Sequence, residues 1–512
     1  MENKSIIIID YGSQYTQLIA RRIRENKTYC EIFPYDVSLE KIKNHNPIGV
    51  ILSGGPNSVT KSFDNTLLKY FIMSDIPILG ICFGMQAICK EFGGTVVESQ
   101  KREYGSAIFK INEMDPLFHG INNSFEVWMS HGDSVTIVPN EFKLIGSTGE
   151  NNISAIKHKS KLIYGLQFHP EVTHTEDKGK IIENYVNNIC NSKNEWSIKN
   201  IVSSSIQSIQ DEVKNESVIL GLSGGVDSSV AAAIINKAIG SQLTCIFVNN
   251  GLLRLNEEEQ VKNAFRSFKG IKIKFVNAEK IFLDNLKGVV DPEQKRKIIG
   301  NTFIDVFQNE AEKIKDARWL GQGTIYPDVI ESAAESSSAH LIKSHHNVGG
   351  LPENMKLKLI EPLRKLFKDE VRLLGKEIGL SEEIINRHPF PGPGLGVRIL
   401  GEVKSEFADI LREADNIYIS MIREAKLYDK ISQAFSVFIP SKTVGVTGDG
   451  RVYSYIIALR AVGTEDFMTA KPFRFPNGFI EDVATRIINE VPNISRVCYD
   501  ISSKPPATIE WE

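Results

Sequence analysis

A strand, a tight turn and a helix are encoded by ten consecutive residues, PILGICFGMQ (77–86). The apolar first half is typical of a buried strand, and residues 84–92 have helical spacing. Cys82 stands between Gly80 and Gly84, and glycines permit the strained turn that lifts a nucleophile above a sheet. The dipole of the following helix favours a thiolate there. The spacing predicts a parallel sheet with a reactive thiol at the end of one strand.

Short apolar runs alternate with helix-like stretches on both sides of this motif. Residues 5–10 and 49–53 are predicted to be buried strands, with a helix at 16–25 between them. A second series of the same kind begins at Ser217 and includes a predicted strand at 317–321. Such alternation implies parallel sheets with helices on both faces. We therefore predict an α/β protein with two doubly wound parallel-sheet domains, whose ligands bind beyond the carboxyl ends of the strands.

Two changes in composition divide the chain. Residues 187–194 are polar without apolar periodicity and mark a first boundary. The run HPFPGPGLGVRILGEV (388–403) contains three prolines so close together that it cannot lie in a helix or a central strand. Helix-like and strand-like segments are mixed beyond it. The predicted domains are therefore 1–194, 195–390 and 391–512, the last a smaller α+β domain.

The composition is typical of soluble globular proteins. The 512 residues are 42% hydrophobic and 24% charged, and a chain of this length is expected to form several domains. The net charge of −3 argues against nucleic-acid binding, which requires a basic surface. The six cysteines are scattered and no apolar run is long enough for a membrane helix, so we expect a cytoplasmic protein without a membrane partner.

Two further motifs supply partners for the predicted nucleophile. In QFHPE (167–171), His169 and Glu171 are two residues apart and point to the same side of an extended segment. Glu171 can orient the imidazole and support its protonated form beside a thiolate. The alternative is that Cys82 is a small buried hydrophobic residue and that His-Pro-Glu is a surface turn.

An oxyanion site is predicted beside the same turn. The backbone N–H of Phe83, which follows the cysteine, is one natural donor. The turn SGGP (53–56), which contains Gly54 and Gly55, can supply the other donor.

The motifs SGGP, GICFGMQ and QFHPE resemble, in order and spacing, the class I glutamine amidotransferase domain over residues 1–190. The resemblance implies that a cysteine attacks the amide of glutamine, releases ammonia and forms a thioester that water hydrolyses. It places the catalytic triad at Cys82, His169 and Glu171. It also implies that the glutamine is gripped by Gln86 and by the stretch SHGD, which contains His131 and Asp133.

A second chemical motif, GLSGGVDSS (221–229), follows a predicted strand and opens an Ala-rich helix. Its glycines let successive N–H groups converge on an anion, and the helix N-terminus adds its dipole. The loop has no lysine for a transferring γ-phosphate, which suits a reaction that releases pyrophosphate. It resembles the signature of the N-type ATP pyrophosphatases. The resemblance implies that ATP is bound by Ser223, Gly224, Gly225, Val226, Asp227, Ser228, Ser229 and, after the next strand, Val248.

Magnesium is the expected cofactor, because a hard cation that bridges phosphates prefers carboxylate oxygens. The candidate ligands are Asp227, Asp328 and Glu331, and solvated helix charges are an equally good interpretation of the last two. The stretch KSHHNVGG combines a cation, two imidazoles and a double glycine and suits a lid over phosphates. Its candidate residues are Lys343, His345 and His346, and a plain surface loop remains the alternative.

The last part of the chain shows which family combines the two preceding domains. The runs FPGPGLGVRILGEV, SKTVGVTGDGRVYSYIIALRAV and SSKPPATIEWE, with the two earlier domains, resemble the glutamine-hydrolysing GMP synthase family over essentially the whole chain. The resemblance implies that ATP adenylates the C2 oxygen of xanthosine 5′-monophosphate and that ammonia displaces AMP to give GMP. It also implies a homodimer formed by the third domain. The xanthosine-phosphate positions fall on Arg296, Gln433, Asp449, Lys504 and Glu510.

Two rival functions are weighed against this hypothesis. One is another glutamine-dependent adenylating enzyme such as NAD synthase, whose glutaminase uses a different fold and triad. The other is a silent binding protein that keeps only the fold, and the intact cysteine, histidine and SGGVDSS loop argue against it.

Overall fold

The computed structural model describes residues 5–61, 64–149, 152–177, 179–314, 317–337, 357–448, 450–464 and 469–512. The chain forms two compact units, Met1–Asn200 and Ile201–Glu512. The lid candidates Lys343, His345 and His346, and the nucleotide candidate Asp449, lie outside the described residues. The three domain boundaries given above stay predictions.

The first unit contains one mixed sheet with the strand order β2-β1-β3-β4-β9-β8-β7-β5-β6 within the described ranges. The first five strands in this order pair in parallel, and the remaining pairings are antiparallel. The strands are β1 (Ile6–Asp10), β2 (Cys30–Pro34), β3 (Gly49–Leu52), β4 (Ile78–Ile81), β5 (Thr95–Ile111), β6 (Ser124–Ile137), β7 (Phe142–Thr148), β8 (Asn152–His158) and β9 (Ile163–Leu166).

The helices of this unit cover the sheet because each has an apolar face. In α1 the residues Ile19, Ala20 and Ile23 are buried on one stripe, as a helix that packs on a sheet requires. The strands β3, β4 and β9 are apolar and buried throughout because both of their faces are covered. The helices are α1 (Thr16–Glu25), α2 (Leu39–Lys43), α3 (Thr66–Met73), α4 (Phe83–Glu91) and α5 (Lys180–Asn184).

The second unit begins with a fully parallel sheet in the order β12-β11-β10-β13-β14. Its strands are β10 (Ser217–Gly221), β11 (Leu243–Asn249), β12 (Lys272–Asn277), β13 (Ala317–Gly321) and β14 (Lys358–Ile360). The helices along this part of the chain are α6 (Ile198–Val213), α7 (Val226–Ile239), α8 (Glu257–Phe265), α9 (Glu279–Leu286), α10 (Pro292–Ala311), α11 (Tyr326–Ser337), α12 (Lys368–Glu377) and α13 (Glu382–Ile385).

The C-terminal part of the second unit is an α+β arrangement, as predicted. Two long antiparallel strands, β15 (Gln433–Thr447) and β16 (Gly450–Gly463), carry the short β17 (Lys471–Pro472) and the parallel β18 (Ile494–Tyr499). The helices α14 (Ser405–Glu424) and α15 (Phe479–Glu490) accompany them. One hydrophobic core includes Ile219 of β10, Leu395 of the proline-rich run and Ile457 of β16, so both parts of this unit share an interior.

The predicted α/β class is confirmed, and the antiparallel half of the first sheet is an addition to it. Strands β5 to β9 follow one another with few intervening residues, and antiparallel neighbours need only short connections. The β–α alternation of the sequence therefore predicted only the half that needs crossover helices.

The junction of β4 and α4 generates a prediction about stability. A Cβ at Gly84 would lie 2.4 Å from the backbone oxygen of Leu52, closer than atoms of a folded protein can approach. We expect Gly84→Ala to destabilise the protein by about 1–3 kcal/mol, as overpacking of a core does. Thermal unfolding of the full chain measures the effect.

Gly300→Ala is the matched control. Gly300 lies in α10, where a Cβ would meet nothing within 4 Å, so alanine should leave the melting temperature unchanged or raise it. Equal losses in the two variants would contradict the steric argument.

Candidate active sites

The cysteine turn is the best-defined feature of the first unit. Cys82 precedes α4 with a φ of 51°, a left-handed conformation that is rare for a residue with a side chain. Glycines on both sides allow the backbones to meet, because a Cβ at Gly80 would lie 2.5 Å from the carbonyl carbon of Gly84. The turn therefore presents the thiol at the carboxyl end of β4, as the nucleophile elbow predicts.

A histidine and a glutamate lie next to this thiol. The Nδ1 atom of His169 is 2.7 Å from Oε1 of Glu171, and both side chains are buried. Burial by itself lowers the pKa of His169, but the negative charge of Glu171 and hydrogen bonds to Cys82 and Glu171 outweigh it and hold this pKa well above its ordinary value. A protonated imidazole beside a sulfur is the arrangement that stabilises a thiolate nucleophile.

The thiol borders a cavity of about 710 Å³ although only 5% of Cys82 is exposed. Hydrogen bonds at 3.7 Å to the backbone oxygen of Ser130 and at 3.8 Å from Nε2 of Gln167 surround the sulfur. Cys82 is therefore buried, as the alternative expected, but it borders a polar cavity. Polar residues that share the cavity wall include Ser13, Ser58, Gln86, His131, Asp133 and His169.

The predicted glutamine-gripping residues gather at this cavity and also bind one another. Nε2 of Gln86 donates to the backbone oxygen of Asp133 at 2.9 Å, and Ser58 donates to the Asp133 carboxylate. His131 lies with Nε2 at 3.2 Å from Glu103, and its Nδ1 is 3.0 Å from the oxygen of Asp133. Burial lowers the pKa of His131 despite the neighbouring Glu103.

The predicted oxyanion residues Gly54, Gly55 and Phe83 differ in what they contact. Gly55 borders the cavity, whereas Phe83 turns its side chain into the core against Tyr11. A Cβ at Gly54 would lie 3.2 Å from Cε1 of His169, so the imidazole packs directly against the backbone of this glycine.

The second candidate site is formed by the glycine loop between β10 and α7. Ser223 and Ser228 contact each other through their hydroxyl groups at 2.9 Å, and the Ser228 hydroxyl accepts the N–H of Ser223 at 3.2 Å. These bonds hold the loop open in front of the N-terminus of α7. A cavity of about 260 Å³ lies there, and its wall includes the predicted residues Ser223, Gly224, Gly225, Val226, Asp227 and Ser228.

The cations of this cavity were missed by the sequence analysis. Lys368, the first residue of α12, donates to both carboxylate oxygens of Asp227 at 2.8 and 2.6 Å. Arg387 donates to the backbone oxygen of Gly224 at 2.8 Å, and Arg254 also faces the cavity. The loop without a lysine thus receives its positive charges from residues remote in sequence. No local spacing signals them.

Several predicted ligands of ATP or metal lie elsewhere. Ser229 is fully buried in α7 and Val248 is buried in β11, and neither borders the cavity, because the helix and strand turn both side chains inward. Asp328 accepts the N–H of Ile325 at 2.9 Å at the start of α11. The side chain of Glu331 is outside the described part of the chain.

The third cluster involves the predicted nucleotide residues of the C-terminal part. Nε2 of Gln433 donates to Oε1 of Glu510 at 2.7 Å, so the structure brings these two together. Arg296 donates to the backbone oxygen of Glu512, the last residue. Lys504 pairs through its backbone with Ala470.

Family profiles match the chain in the same three regions. The class I glutamine amidotransferase profile covers residues 7–189, the NAD synthase profile 174–297, and the GMP synthase C-terminal domain profile 420–511. A GMP synthase [glutamine-hydrolyzing] of Marinobacter nauticus is 56% identical over 99% of this chain and 98% of its own length. The protein of that name from Azoarcus sp. is 56% identical over the full length of both chains. This chain belongs to the glutamine-hydrolysing GMP synthase family.

Membership of the GMP synthase family confirms the predicted reaction class. The chain is a ligase that makes GMP with glutamine as the amido donor, in purine biosynthesis, and it combines a glutamine amidotransferase region with an ATP pyrophosphatase region. A relative from Legionella pneumophila with the same name is 55% identical over 100% of this chain and 99% of its own length. Within the described ranges, no helix combines the length and apolar character needed to cross a membrane.

The contact between Glu171 and His169 generates a pH prediction for this enzyme. Glu171→Gln removes the charge that raises the pKa of His169 and leaves burial, which lowers it. The protonated imidazole then loses its proton at lower pH, so the alkaline limb of the glutaminase pH profile should move to lower pH. We expect the glutaminase rate at neutral pH to fall about a hundredfold.

Cys82→Ala is the matched control for this experiment. Without the sulfur, glutamine hydrolysis should be abolished at every pH, while GMP synthesis from added ammonium continues in both variants. An unchanged pH profile in Glu171→Gln would contradict the assigned role of Glu171.

Proposed function

We propose that Cys82, His169 and Glu171 form the glutaminase triad of this enzyme. The thiol gives its proton to His169, attacks the side-chain amide carbon of glutamine, and His169 returns the proton to the departing ammonia. Water then hydrolyses the glutamyl thioester. The observation that carries this proposal is the 2.7 Å contact between the His169 imidazole and the Glu171 carboxylate, beside a Cys82 thiol that borders the same cavity as His169.

The surroundings of the triad give the remaining roles. We propose that the N–H groups of Phe83 and the Gly54–Gly55 turn stabilise the oxyanion that forms during attack. His131 and Asp133 face the same cavity and are proposed to recognise the amino-acid end of glutamine. Gln86 acts mainly by fixing the Asp133 backbone, since its amide is already bonded there.

The second reaction is proposed to take place at the glycine loop of the second unit. ATP binds with its phosphates on Gly224 and Gly225, where the N-terminus of α7 favours anions. The C2 oxygen of xanthosine 5′-monophosphate displaces pyrophosphate, and ammonia then displaces AMP from the adenylate. A urea-like carbonyl is a poor electrophile, and adenylation converts its oxygen into a leaving group. Arg387 and Lys368 supply positive charge beside the pyrophosphate.

Magnesium fits the donor chemistry of this cavity. The Asp227 side chain is 30% exposed, borders the cavity and offers carboxylate oxygens, and the Ser228 hydroxyl lies beside it. We propose that Asp227 holds the ion. Asp328 is a weaker candidate, because it is not part of the cavity wall. A bound magnesium ion supplies charge neutralisation of the phosphates.

Metal dependence separates the roles of Asp227 and Lys368. Asp227→Asn should require about tenfold more Mg²⁺ for half-maximal pyrophosphate release, because one ligand charge is lost. Lys368→Met removes the same ion pair and serves as the matched control, with a higher KM for ATP and a lower Mg²⁺ requirement, because the ammonium that competes for the Asp227 carboxylate is lost. Equal Mg²⁺ requirements in the two variants would argue against Asp227 as a ligand.

The nucleotide site is proposed at the end of the chain. Gln433 and Glu510 suit base or ribose groups, and Arg296 and Lys504 suit the phosphate. Glu510 also borders a cavity of about 530 Å³, which supports a ligand nearby.

We propose that the enzyme is a cytoplasmic homodimer. All six cysteines are free, which suits a reducing compartment. The β15–β16 hairpin exposes Val444, Val446 and Tyr453, at 52%, 75% and 62%, and Val444 lies opposite Tyr453 in the register. Such an exposed apolar patch marks an association surface, and a second copy of the chain is the partner that the family implies.

Sedimentation velocity tests the dimer. Val446→Glu places a charge in the patch and should convert dimer to monomer, because burial of an unpaired carboxylate is unfavourable. Val290→Glu, at another exposed valine, should leave the dimer intact. A monomeric wild-type protein would overturn this proposal.

A further inference from the structure

The proline-rich run contains an arginine, Arg398, to which neither proposed reaction assigns a role. Arg398 lies at the bridge between Ile399 and Phe438 of β15, and only 1% of it is exposed. A buried guanidinium is unfavourable unless its charge and donors are satisfied. The groups that contact Arg398 therefore indicate its role.

Arg398 binds the carboxylate of Glu510 through two hydrogen bonds. Its Nε atom donates to Oε2 at 3.1 Å and its Nη2 atom donates to Oε1 at 2.8 Å. Gln433 donates a third hydrogen bond, to Oε1 at 2.7 Å. Two parallel bonds fix both the position and the plane of a carboxylate, which a single bond does not.

Aromatic rings hold the guanidinium in place. Its carbon lies 4.2 Å from the ring centre of Phe435 and 5.0 Å from that of Phe390. Phe390 belongs to the wall of the ATP cavity, and Arg254 of the same cavity lies 4.1 Å from its ring centre. The fork that holds Glu510 is thus supported by a residue of the adenylation site.

A buried acid, Asp415, also interacts with both guanidiniums. Asp415 of α14 accepts the N–H of Ser436 at 2.8 Å and interacts electrostatically with Arg398 and Arg254. Burial raises the pKa of Asp415, and the two arginines oppose that shift. The carboxylate of Glu510, in contrast, keeps 18% of its side-chain surface exposed, so it can still meet a ligand.

We propose that Arg398 is a positioning residue for the nucleotide substrate. It holds the Glu510 carboxylate in one orientation, and its ring contact with Phe390 connects it to the wall of the ATP cavity. The inference rests on the proposed role of Glu510 in binding the xanthosine nucleotide. Arg398 does not touch the substrate. A lysine cannot replace it, because an ammonium is a point charge without the planar fork and stacks less well on the rings.

The first test is steady-state kinetics of the full-length enzyme with ammonium as the nitrogen source. Arg398→Lys should raise the KM for xanthosine monophosphate about tenfold, the size expected for the loss of one charge-assisted bond. The KM for ATP should change less than about twofold. If Arg398→Lys does not fold, Phe435→Leu loosens the same guanidinium and should raise the nucleotide KM by a smaller factor.

Arg460→Lys is the matched control. Arg460 is equally buried and anchors the same tail, but it donates to the backbone oxygens of Ser502, Thr508 and Ile509 and not to Glu510. It should lower the melting temperature and change the nucleotide KM less than Arg398→Lys does. Equal nucleotide KM values in the two variants, or no rise in Arg398→Lys, would overturn the positioning role.

The variant Glu510→Gln distinguishes the positioning role of Arg398 from the proposed nucleotide binding by Glu510, on which that role depends. If Glu510→Gln leaves the nucleotide KM unchanged, Glu510 does not bind the nucleotide and both proposals fall. If it raises this KM and Arg398→Lys does not, only the role of Arg398 falls. Support for both is a rise in each single variant and no further rise in the double variant, because the two side chains then act as one unit.

Discussion

The close approach of α4 to the sheet is the constraint on which the proposed glutaminase site depends. Gly80 and Gly84 bring backbone against backbone, and the chain can then make the left-handed turn at Cys82. That turn places the sulfur at the carboxyl end of β4, beside the segment after β9 that carries His169. A side chain at either glycine would separate the helix from the sheet. The position of the thiol is therefore a consequence of main-chain packing.

Several charged groups in both units are buried as pairs. Glu171 compensates His169 in the first unit, and Arg398 with Glu510 and Arg460 with Asp500 do the same in the second. A lone buried charge is strongly unfavourable, so each pair constrains where its two segments can lie. In the second unit these pairs fix the last residues of the chain against β15 and β16. The tail is held there because its acids neutralise buried arginines.

Much of the fold and of the first site follows from local pattern. Residues 16–25 form the predicted helix, residues 317–321 form the predicted strand, and the triad motifs meet at one cavity. The antiparallel half of the first sheet was not predicted, because long polar-apolar strands carry no crossover signal. Ser229 and Val248 were assigned to ATP by motif alone, and their burial depends on which face of α7 and β11 turns inward.

The sequence alone determined the chemistry of this protein: a thiol between glycines, a His-Pro-Glu partner and a glycine loop without a lysine are contiguous signals, because each depends on backbone geometry within a few residues. Only the tertiary structure decided which distant side chains complete these sites. Lys368 reaches Asp227 across 141 positions and Arg398 reaches Glu510 across 112. Such pairings depend on how strands and helices pack, and burial then selects the partner that satisfies each charge.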